Sequence, residues 1–387
     1  MNLELSEEQT AVRELAAEFT DREIAPYAAA WDRAESVDRA IVGKLAKLGF
    51  LGLTLPEEYG GSGGDHLAYC LVLEELGRGD SAVRGIVSVS LGLVAKSINS
   101  HGTEEQKRHW LPRLTSGEAL ACFALTEPGT GSDAANLTTR AVRDGDDWLI
   151  SGAKTFITNG TWADVALVFA RTGGDDPQQR GHKGITAFLV PTDLPGFTRT
   201  EIHGKLGLRG QATAELSFDA VRVPDGARLG AVGKGFGVAM GALAKGRMSV
   251  AAGCVGIARA CLEAAVRYAG EREQFGKPIA SHQLVQELLA GIAVDVEAAR
   301  LLTWKVADHI ERGLPFATES SVAKLYASEA AVRAANNALQ VFGGYGFIDE
   351  YPVGKYLRDA RVMTLYEGTS QIHQLLIGRA LTGVNAF

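Results

Sequence analysis

A single carboxylate near the C-terminal end of the chain is the leading candidate for catalysis. Glu367 lies in residues 365–372, which read LYEGTSQI. The glycine after it lets the backbone bend, and the apolar residues around it are able to exclude water. A desolvated carboxylate is a stronger base than one in water, because burial disfavours its charged form. The alternative is a helix N-terminus in which Thr369 or Ser370 is the cap and Glu367 is a solvated charge.

Two other segments combine glycine with polar side chains, as ligand-binding loops do. Residues 122–133 read CFALTEPGTGSD, with hydroxyl groups at Thr126 and Ser132 and the N–H groups of two glycines. Such a loop is able to hold a phosphate or a polar heterocycle, and a plain cluster of turns has the same composition. Residues 340–347 read QVFGGYGF after a long helical pattern. Glycines this dense allow a ligand or another subunit to approach the backbone, and a helix C-cap is the alternative.

Three familiar catalytic patterns are incomplete or missing. Residues 60–64 (GGSGG) match the nucleophile elbow of serine hydrolases through Ser62, but no strand pattern runs into them. Residues 233–237 (GKGFG) look like a phosphate loop, but Met240 replaces its third small residue and there is no Walker lysine-serine pair, so we expect a helix to begin there. There is no HExxH motif, and the 8 histidines show no ligand spacing, so we predict no metal site.

The composition favours a soluble protein of two or three domains. The chain has 387 residues and a net charge of -7, which argues against a nucleic-acid-binding face. Its 46% hydrophobic residues are enough for large cores. The four cysteines form no CxxC pair, which is typical of core positions in a reducing cytoplasm. The N-terminus does not read as a signal peptide, and the apolar runs are shorter than the ~20 residues of a membrane span. We therefore expect a cytoplasmic protein without membrane association.

The elements that must position these residues fall into three parts. Residues 1–118 read as helical, beginning with a capping box at Ser6 and Gln9 and including helices over 38–47, 67–76 and 104–111. Residues 119–230 carry short β-type runs separated by turns, which suggest a small antiparallel barrel or sandwich. Residues 231–387 have long helical patterns typical of a bundle. The predicted fold is therefore mainly α with a middle β-domain.

Taken together, the segments resemble the acyl-CoA dehydrogenase family over nearly the whole chain. The resemblance rests on five stretches in order: residues 125–133, 154–160 (KTFITNG), 268–276, 340–347 and 366–371. It implies an N-terminal helical domain, a middle β-domain and a C-terminal four-helix bundle, assembled as a homotetramer with one FAD per subunit. It also implies oxidation of the Cα–Cβ bond of an acyl thioester, with electrons passing to electron-transfer flavoprotein.

The resemblance also assigns roles to individual residues. It makes Glu367 the base that takes the α-proton while the β-hydride passes to the flavin. The residues that it implies for FAD are Phe123, Leu125, Thr126, Gly131, Ser132, Phe156, Thr158, Arg272, Phe275, Gln283, Gln340, Gly343, Gly344, Thr369 and Gln371. Several of these, from Arg272 to Gly344, are expected to reach the FAD of a neighbouring subunit. The residues that it implies for the thioester ligand are Ser132, Arg247, Tyr366 and Gly368.

Two positions near Arg247 bear on this resemblance, one supporting Glu367 as the base and one departing from many relatives. Some branched-chain members carry the base just before the arginine matched by Arg247, and this chain has Gly246 there, which leaves Glu367 as the sole candidate. Many relatives have an acidic residue three before that arginine, where this chain has Ala244. This departure weakens the expectation of CoA as the carrier and keeps open a substrate tethered to a carrier protein. A flavin oxidase or monooxygenase on the same fold is a further alternative.

Overall fold

A computed structural model describes residues 4–174 and 181–385. The N-terminal part is helical and begins with a capping box in which Ser6 and Gln9 bond each other's backbone, as predicted. A second capping box joins Thr103 and Gln106. The helices are α1 (Glu7–Glu23), α2 (Ala28–Ala34), α3 (Ile41–Lys47), α4 (His66–Gly79), α5 (Ser81–Val87), a π-helical stretch (Ser88–Ala95), α6 (Lys96–His101) and α7 (Glu104–Thr115).

One continuous helical run, Ser81–His101, crosses the interior of this part. The run and the first C-terminal helix are the two described segments long and apolar enough to span a membrane by composition. Their most apolar windows are 94% and 72% buried inside the protein, which is how core helices of a globular protein are placed. The sequence patterns did not predict this run, because its apolar residues continue around the helix without a periodic polar face.

The middle part is a curled seven-stranded sheet. Its strands are β1 (Ala121–Ala124), β2 (Arg140–Asp144), β3 (Asp147–Thr158), β4 (Val165–Arg171), β5 (Ile185–Pro191), β6 (Phe197–Glu201) and β7 (Thr213–Pro224). The sheet is mixed and not purely antiparallel, since β1 pairs with β4 in parallel, Ala121 opposite Val165. The patterns indicated a β-run at the start of the 122–133 loop, where β1 lies, and missed β2 and β6, which carry mainly exposed polar side chains.

The C-terminal part is helical again, apart from a small hairpin. Its elements are α8 (Gly235–Glu271), β8 (Glu273–Gln274), β9 (Lys277–Pro278), α9 (Gln283–Glu311), α10 (Ala317–Phe342), α11 (Val353–Met363) and α12 (Ser370–Thr382). Helix α8 begins at Gly235, as the glycine-rich sequence predicted, and a Cβ there would lie 2.5 Å from the backbone nitrogen of Ala187. The three-part architecture predicted from the sequence is confirmed.

Two hydrophobic cores meet at strand β4. Val165, Leu167 and Phe169 belong to a large core shared with the helices before and after the sheet. The residues between them, such as Ala166 and Val168, belong to a second core inside the curled sheet. Every residue from Val165 to Ala170 is buried, because both faces of the strand are covered. The helices therefore pack directly on the sheet.

Candidate active site

Glu367 lies in the short connection between α11 and α12, and its carboxylate points inward. Its backbone has a φ of 50°, in the left-handed region that non-glycine residues rarely adopt, and Gly368 follows with a φ of 100°. The Oε2 atom is enclosed, and no described residue forms a hydrogen bond with it. Thr369 does cap α12, accepting a hydrogen bond from the N–H of Ile372 at 3.2 Å. The helix-cap interpretation is thus right for Thr369, whereas Glu367 is not a solvated charge.

The space for this carboxylate exists because residue 246 has no side chain. A Cβ at Gly246 would lie 2.3 Å from Glu367 Oε2 and 2.6 Å from Leu93 Cδ2. Gly246 lies within α8, and Leu93 lies in the π-helical stretch. The carboxylate therefore occupies a gap between two core helices, where water has little access.

Two buried cations hold the backbone carbonyls of Glu367 and Gly368. The Lys324 side chain is fully buried in α10, and its Nζ donates to the carbonyl of Gly368 at 2.6 Å. Arg247 Nε donates a longer bond, 3.4 Å, to the carbonyl of Glu367 itself. A non-glycine residue with positive φ, such as Glu367, is strained, so these contacts stabilise a turn that the chain would otherwise avoid.

The electrostatics of the site suit a base that works near neutral pH. Burial raises the pKa of Glu367 to about 7, and the nearby cations Arg84, Lys324 and Arg247 oppose that rise. Burial also lowers the pKa of Lys324 to about 8. A carboxylate poised near 7 accepts a proton readily and is still ionised in a large share of molecules at physiological pH.

Arg84, which the sequence analysis did not single out, belongs to the same site. It lies in α5, is 1% exposed, and its Nη2 donates to the hydroxyl of Tyr366 at 2.5 Å. Its Nε has no hydrogen-bond partner among the described residues. The available signal was one arginine in an otherwise uncharged stretch, residues 81–95. Lys324 was also missed, because a lysine in a long helix is usually exposed.

The segments 122–133 and 154–160 come together at the edge of the sheet. The N–H of Thr155 donates to the carbonyl of Thr126 at 2.9 Å. Beneath them Lys154 and Glu127 form a buried ion pair at 2.8 Å, and Glu127 also accepts bonds from Thr138 and Thr139. This pair fixes the loop, so that its glycines, hydroxyls and aromatic side chains are held as one surface.

That surface is open in the way a planar aromatic cofactor requires. Phe156 is 69% exposed and has a φ of 58°, so an aromatic ring is presented outward on a constrained backbone. Gly131 and Ser132 are exposed, whereas Leu125 is buried and Phe123 is half-buried. Thr158 Oγ1 lies 3.2 Å from Gln211 Oε1. These residues thus combine apolar contact with hydrogen-bonding groups.

A second group of sequence-predicted residues lies in the C-terminal part. Phe275 is 93% exposed with a φ of 57° in the β8–β9 turn, and the Arg272 guanidinium lies 5.4 Å from the ring centre of Tyr345. A Cβ at Gly343 or Gly344 would meet nothing within 4 Å. Gln283, Gln340 and Gln371 are exposed. Within the described residues, no hydrogen bond, ion pair or aromatic contact joins this group to the loop around Thr126 and Phe156.

The other sites that the sequence suggested lack the geometry that their chemistry needs. Ser62 is exposed, and the element before it is a short 3₁₀ turn, Glu57–Tyr59, and not a strand. The described residues contain no group of three or more His, Cys, Asp or Glu side chains able to hold a metal ion. Ala244 is buried in α8, so this position presents no charge to a ligand.

Comparison with known proteins supports the acyl-CoA dehydrogenase family over nearly the whole chain. Models of the acyl-CoA dehydrogenase N-terminal, middle and C-terminal domains match residues 6–118, 122–221 and 233–382. The acyl-CoA dehydrogenase of Bacillus subtilis is 44% identical over 98% of this chain and 100% of the relative. Butyryl-CoA dehydrogenase from Megasphaera elsdenii superposes with a TM-score of 0.95 at 40% identity, covering 98% of this chain and 100% of its own. Glutaryl-CoA dehydrogenase from Mycobacterium smegmatis has a TM-score of 0.93 at 41% identity, covering 99% and 96%.

Proposed function

Because the chain belongs to the acyl-CoA dehydrogenase family, we propose that it oxidises the Cα–Cβ bond of an acyl-CoA to the trans-2-enoyl thioester, with Glu367 as the base. The observation that carries the proposal is the enclosed Glu367 carboxylate, which has no hydrogen-bond partner among the described residues and a pKa of about 7. An unsatisfied buried carboxylate is unfavourable for folding. Its retention is explained if a bound substrate brings a proton to it.

The residues present fit FAD as the cofactor. Phe156 offers an exposed ring beside the open backbone of Gly131 and the hydroxyl groups of Thr126, Ser132 and Thr158. FAD, when bound, supplies the acceptor for the β-hydride. The apolar residues of the loop, Phe123 and Leu125, would cover it. The exposed group from Arg272 to Gly344, with Thr369 and Gln371, would hold the cofactor's remaining part across a subunit interface.

Glu367 acts by taking the α-proton of the thioester. A thioester α-proton is weakly acidic, so it needs both a strong base and stabilisation of the enolate-like oxygen that develops. The turn held by Arg247 and Lys324 fixes the direction of the carboxylate. The Glu367 N–H would bond the thioester oxygen, as the family resemblance implies. Ser132, Tyr366 and Gly368 complete the thioester site.

The proposal extends to assembly and partners. The exposed aromatic ring of Phe275 and the open loop at Gly343 are surfaces that a homotetramer, built as a dimer of dimers, would cover. Electron-transfer flavoprotein is the proposed electron acceptor, and the cytoplasm the proposed location. Because Ala244 offers no charge, CoA and a carrier protein remain the two candidate carriers of the acyl group.

Anaerobic bleaching of the flavin tests this function. Purified protein is mixed with acyl-CoAs of varied length and branching, and with the same acyl groups on a carrier protein. Rapid loss of flavin absorbance is expected with at least one thioester. The Glu367→Gln variant is expected to retain FAD and to reduce it at least about 1,000-fold more slowly. The matched control is Glu350→Gln, which neutralises an exposed carboxylate. A Glu367→Gln variant that reduced its flavin at nearly the wild-type rate would contradict the assignment of the base.

The oxidase and monooxygenase alternatives differ in how the reduced flavin meets oxygen. Stopped-flow mixing of the substrate-reduced protein with aerated buffer separates them. Slow reoxidation while product is bound is the result expected of a dehydrogenase. Fast reoxidation with release of hydrogen peroxide would instead make the protein an oxidase.

A further inference from the structure

Arg84 is a buried cation without a carboxylate partner. Arg259 and Arg300, which are partly buried, both form ion pairs with Glu74, and the buried Arg247 bonds the carbonyl of Glu367. No described Asp or Glu lies within 4.0 Å of the Arg84 guanidinium, whose only described partners are Tyr366 and the sulfur of Met363. A buried guanidinium is expensive to desolvate, and a phenol and a thioether do not neutralise it.

The guanidinium lies beside Glu367 on the side away from Ala244. Helix α8 contains Ala244 and also packs against both Glu367 and Arg84. Gly246 makes room for the Glu367 carboxylate, and a Cβ at Gly253 would lie 2.7 Å from Arg84 Nε. Positions 246 and 253 are seven residues apart in sequence, or about 10 Å along the helix. Ala244 lies toward the other end of α8, where the resemblance places the thioester carrier. An acyl group that extends past Glu367 therefore points toward Arg84.

The charges around Glu367 do not balance. Arg84, Arg247 and Lys324 all lie close enough to influence its ionisation, and among the described residues the other carboxylate that acts on these cations is Glu329, near Lys324. Arg247 and Lys324 already have hydrogen-bond partners, the carbonyls of Glu367 and Gly368. The neighbouring Tyr366 and Cys254 stay neutral, because burial raises the pKa of each to about 12. One excess positive charge, on Arg84, is left over.

We propose that Arg84 binds a carboxylate at the far end of the acyl group, so that the substrate is the thioester of a dicarboxylic acid. This inference rests on the proposed function and names its substrate class. The free Nε and the Nη groups of Arg84 offer the forked geometry that a carboxylate accepts in two parallel hydrogen bonds. The Tyr366 hydroxyl orients the fork from the opposite side. A neutral acyl chain of the same length would leave the guanidinium unpaired and would lose its own contact with apolar surface.

Paired ligands that differ in one end group test the proposal by binding. The ligands are succinyl-, glutaryl- and adipyl-CoA against butyryl-, pentanoyl- and hexanoyl-CoA. Affinities are measured by perturbation of the flavin spectrum in the FAD-loaded Glu367→Gln variant, in which the ligand binds without turnover. At least one dicarboxylyl ligand is expected to bind about 100-fold more tightly than its neutral partner. If none does so, the proposal is wrong, whatever the variants show.

Variants at Arg84 assign the effect to this residue. Arg84→Met in the same background is expected to weaken binding of the preferred dicarboxylyl ligand about 100-fold and to change binding of its neutral partner less than about 3-fold. Arg84→Lys keeps the positive charge but loses the paired N–H groups of the guanidinium. Its affinity for the dicarboxylyl ligand is expected to lie between those of Arg84 and the Arg84→Met variant. Equal loss for both ligands would make Arg84 a structural residue and overturn the proposal.

Lys96→Met is the matched control. Lys96 is a second buried cation on the same helical run, its Nζ lies 4.3 Å from the ring centre of Tyr69, and it has no hydrogen-bond partner among the described residues. The Lys96→Met variant is expected to keep the same ratio of affinities for the dicarboxylyl ligand and its neutral partner. Loss of that ratio would show that Arg84 is not the residue that binds the distal carboxylate. Flavin reduction in the wild type is scored separately. If no thioester reduces the flavin, the proposed function fails, while the binding comparison still decides the role of Arg84.

Discussion

The carboxylate of Glu367 occupies the space that a side chain at Gly246 would need. The distance between Glu367 Oε2 and an ideal Cβ at position 246 is 2.3 Å, far below any stable contact. The two positions are therefore mutually exclusive: helix α8 has to lack a side chain at 246 for the base to enter from the α11–α12 connection. The absence of a competing base at 246 and the placement of Glu367 have one physical cause.

Gly246→Ala is expected to displace the carboxylate and to abolish rapid flavin reduction. Leu93 lies 2.6 Å from the same Cβ position, so there is no space on either side for the methyl group. A loss of at least about 100-fold in the anaerobic reduction rate is expected, since a misplaced base loses its alignment. Gly241→Ala in the same helix is the control, because its Cβ would meet nothing within 4 Å. Similar rates for the two variants would show that Glu367 adapts to the methyl group.

Lys324→Met is expected to move the pH profile of flavin reduction to higher pH. The reaction needs the ionised carboxylate, so the rate rises with pH through the pKa of Glu367, about 7. Lys324 lowers that pKa, and its removal therefore raises it, by on the order of one unit. The profile is measured from pH 5 to 9 with Lys305→Met, an exposed lysine on α9, as the control. An unchanged midpoint with a lower plateau would limit Lys324 to holding the Gly368 carbonyl.

Glu367→Gln is expected to stabilise the protein at pH 8 and not at pH 4. The folded-state pKa of Glu367 is about 7 against an ordinary 4.5, so the folded protein resists ionisation and wild-type stability falls as pH rises from 4.5 through 7. The difference in pKa corresponds to about 3 kcal/mol above pH 7. Thermal unfolding of both proteins at matched FAD content checks this. A melting-temperature difference that does not depend on pH would mean that the carboxylate is not desolvated.

Phe156→Ala is expected to weaken FAD binding about 10-fold. An aromatic ring that is 69% exposed on a backbone with φ of 58° is stabilised by a ligand surface and not by the protein core. Affinity is measured by adding FAD to the deflavinated protein and following the quenching of its fluorescence. Val142→Ala removes another exposed apolar side chain from the same sheet and serves as the control. Unchanged affinity in Phe156→Ala would place the flavin elsewhere.

The order of helical and β parts could be predicted from the sequence, because it depends on local patterns. The capping box at Ser6, the helix over 104–111 and the change to short β-type runs after residue 119 all follow from periodicity and turn residues. The parallel pairing of β1 with β4 did not follow, since strand partners are chosen by packing between segments 44 residues apart, as in the register of Ala121 with Val165. The helical run through Arg84 was missed for a related reason: a helix buried on all sides has no amphipathic pattern.

The sequence by itself determined which residue types are available for chemistry and in what order: a glutamate before a glycine, a glycine and hydroxyl loop after a β-run, and no side chain at 246. The tertiary structure alone decided what Glu367 experiences. Arg84 lies 282 residues from Tyr366 in the chain and yet hydrogen-bonds to it, and Lys324 reaches the carbonyl of Gly368 from another helix. Desolvation and Coulomb interactions depend on distances through space, so the basicity of the carboxylate and the unpaired charge beside it appear only when α5, α8 and α10 pack together.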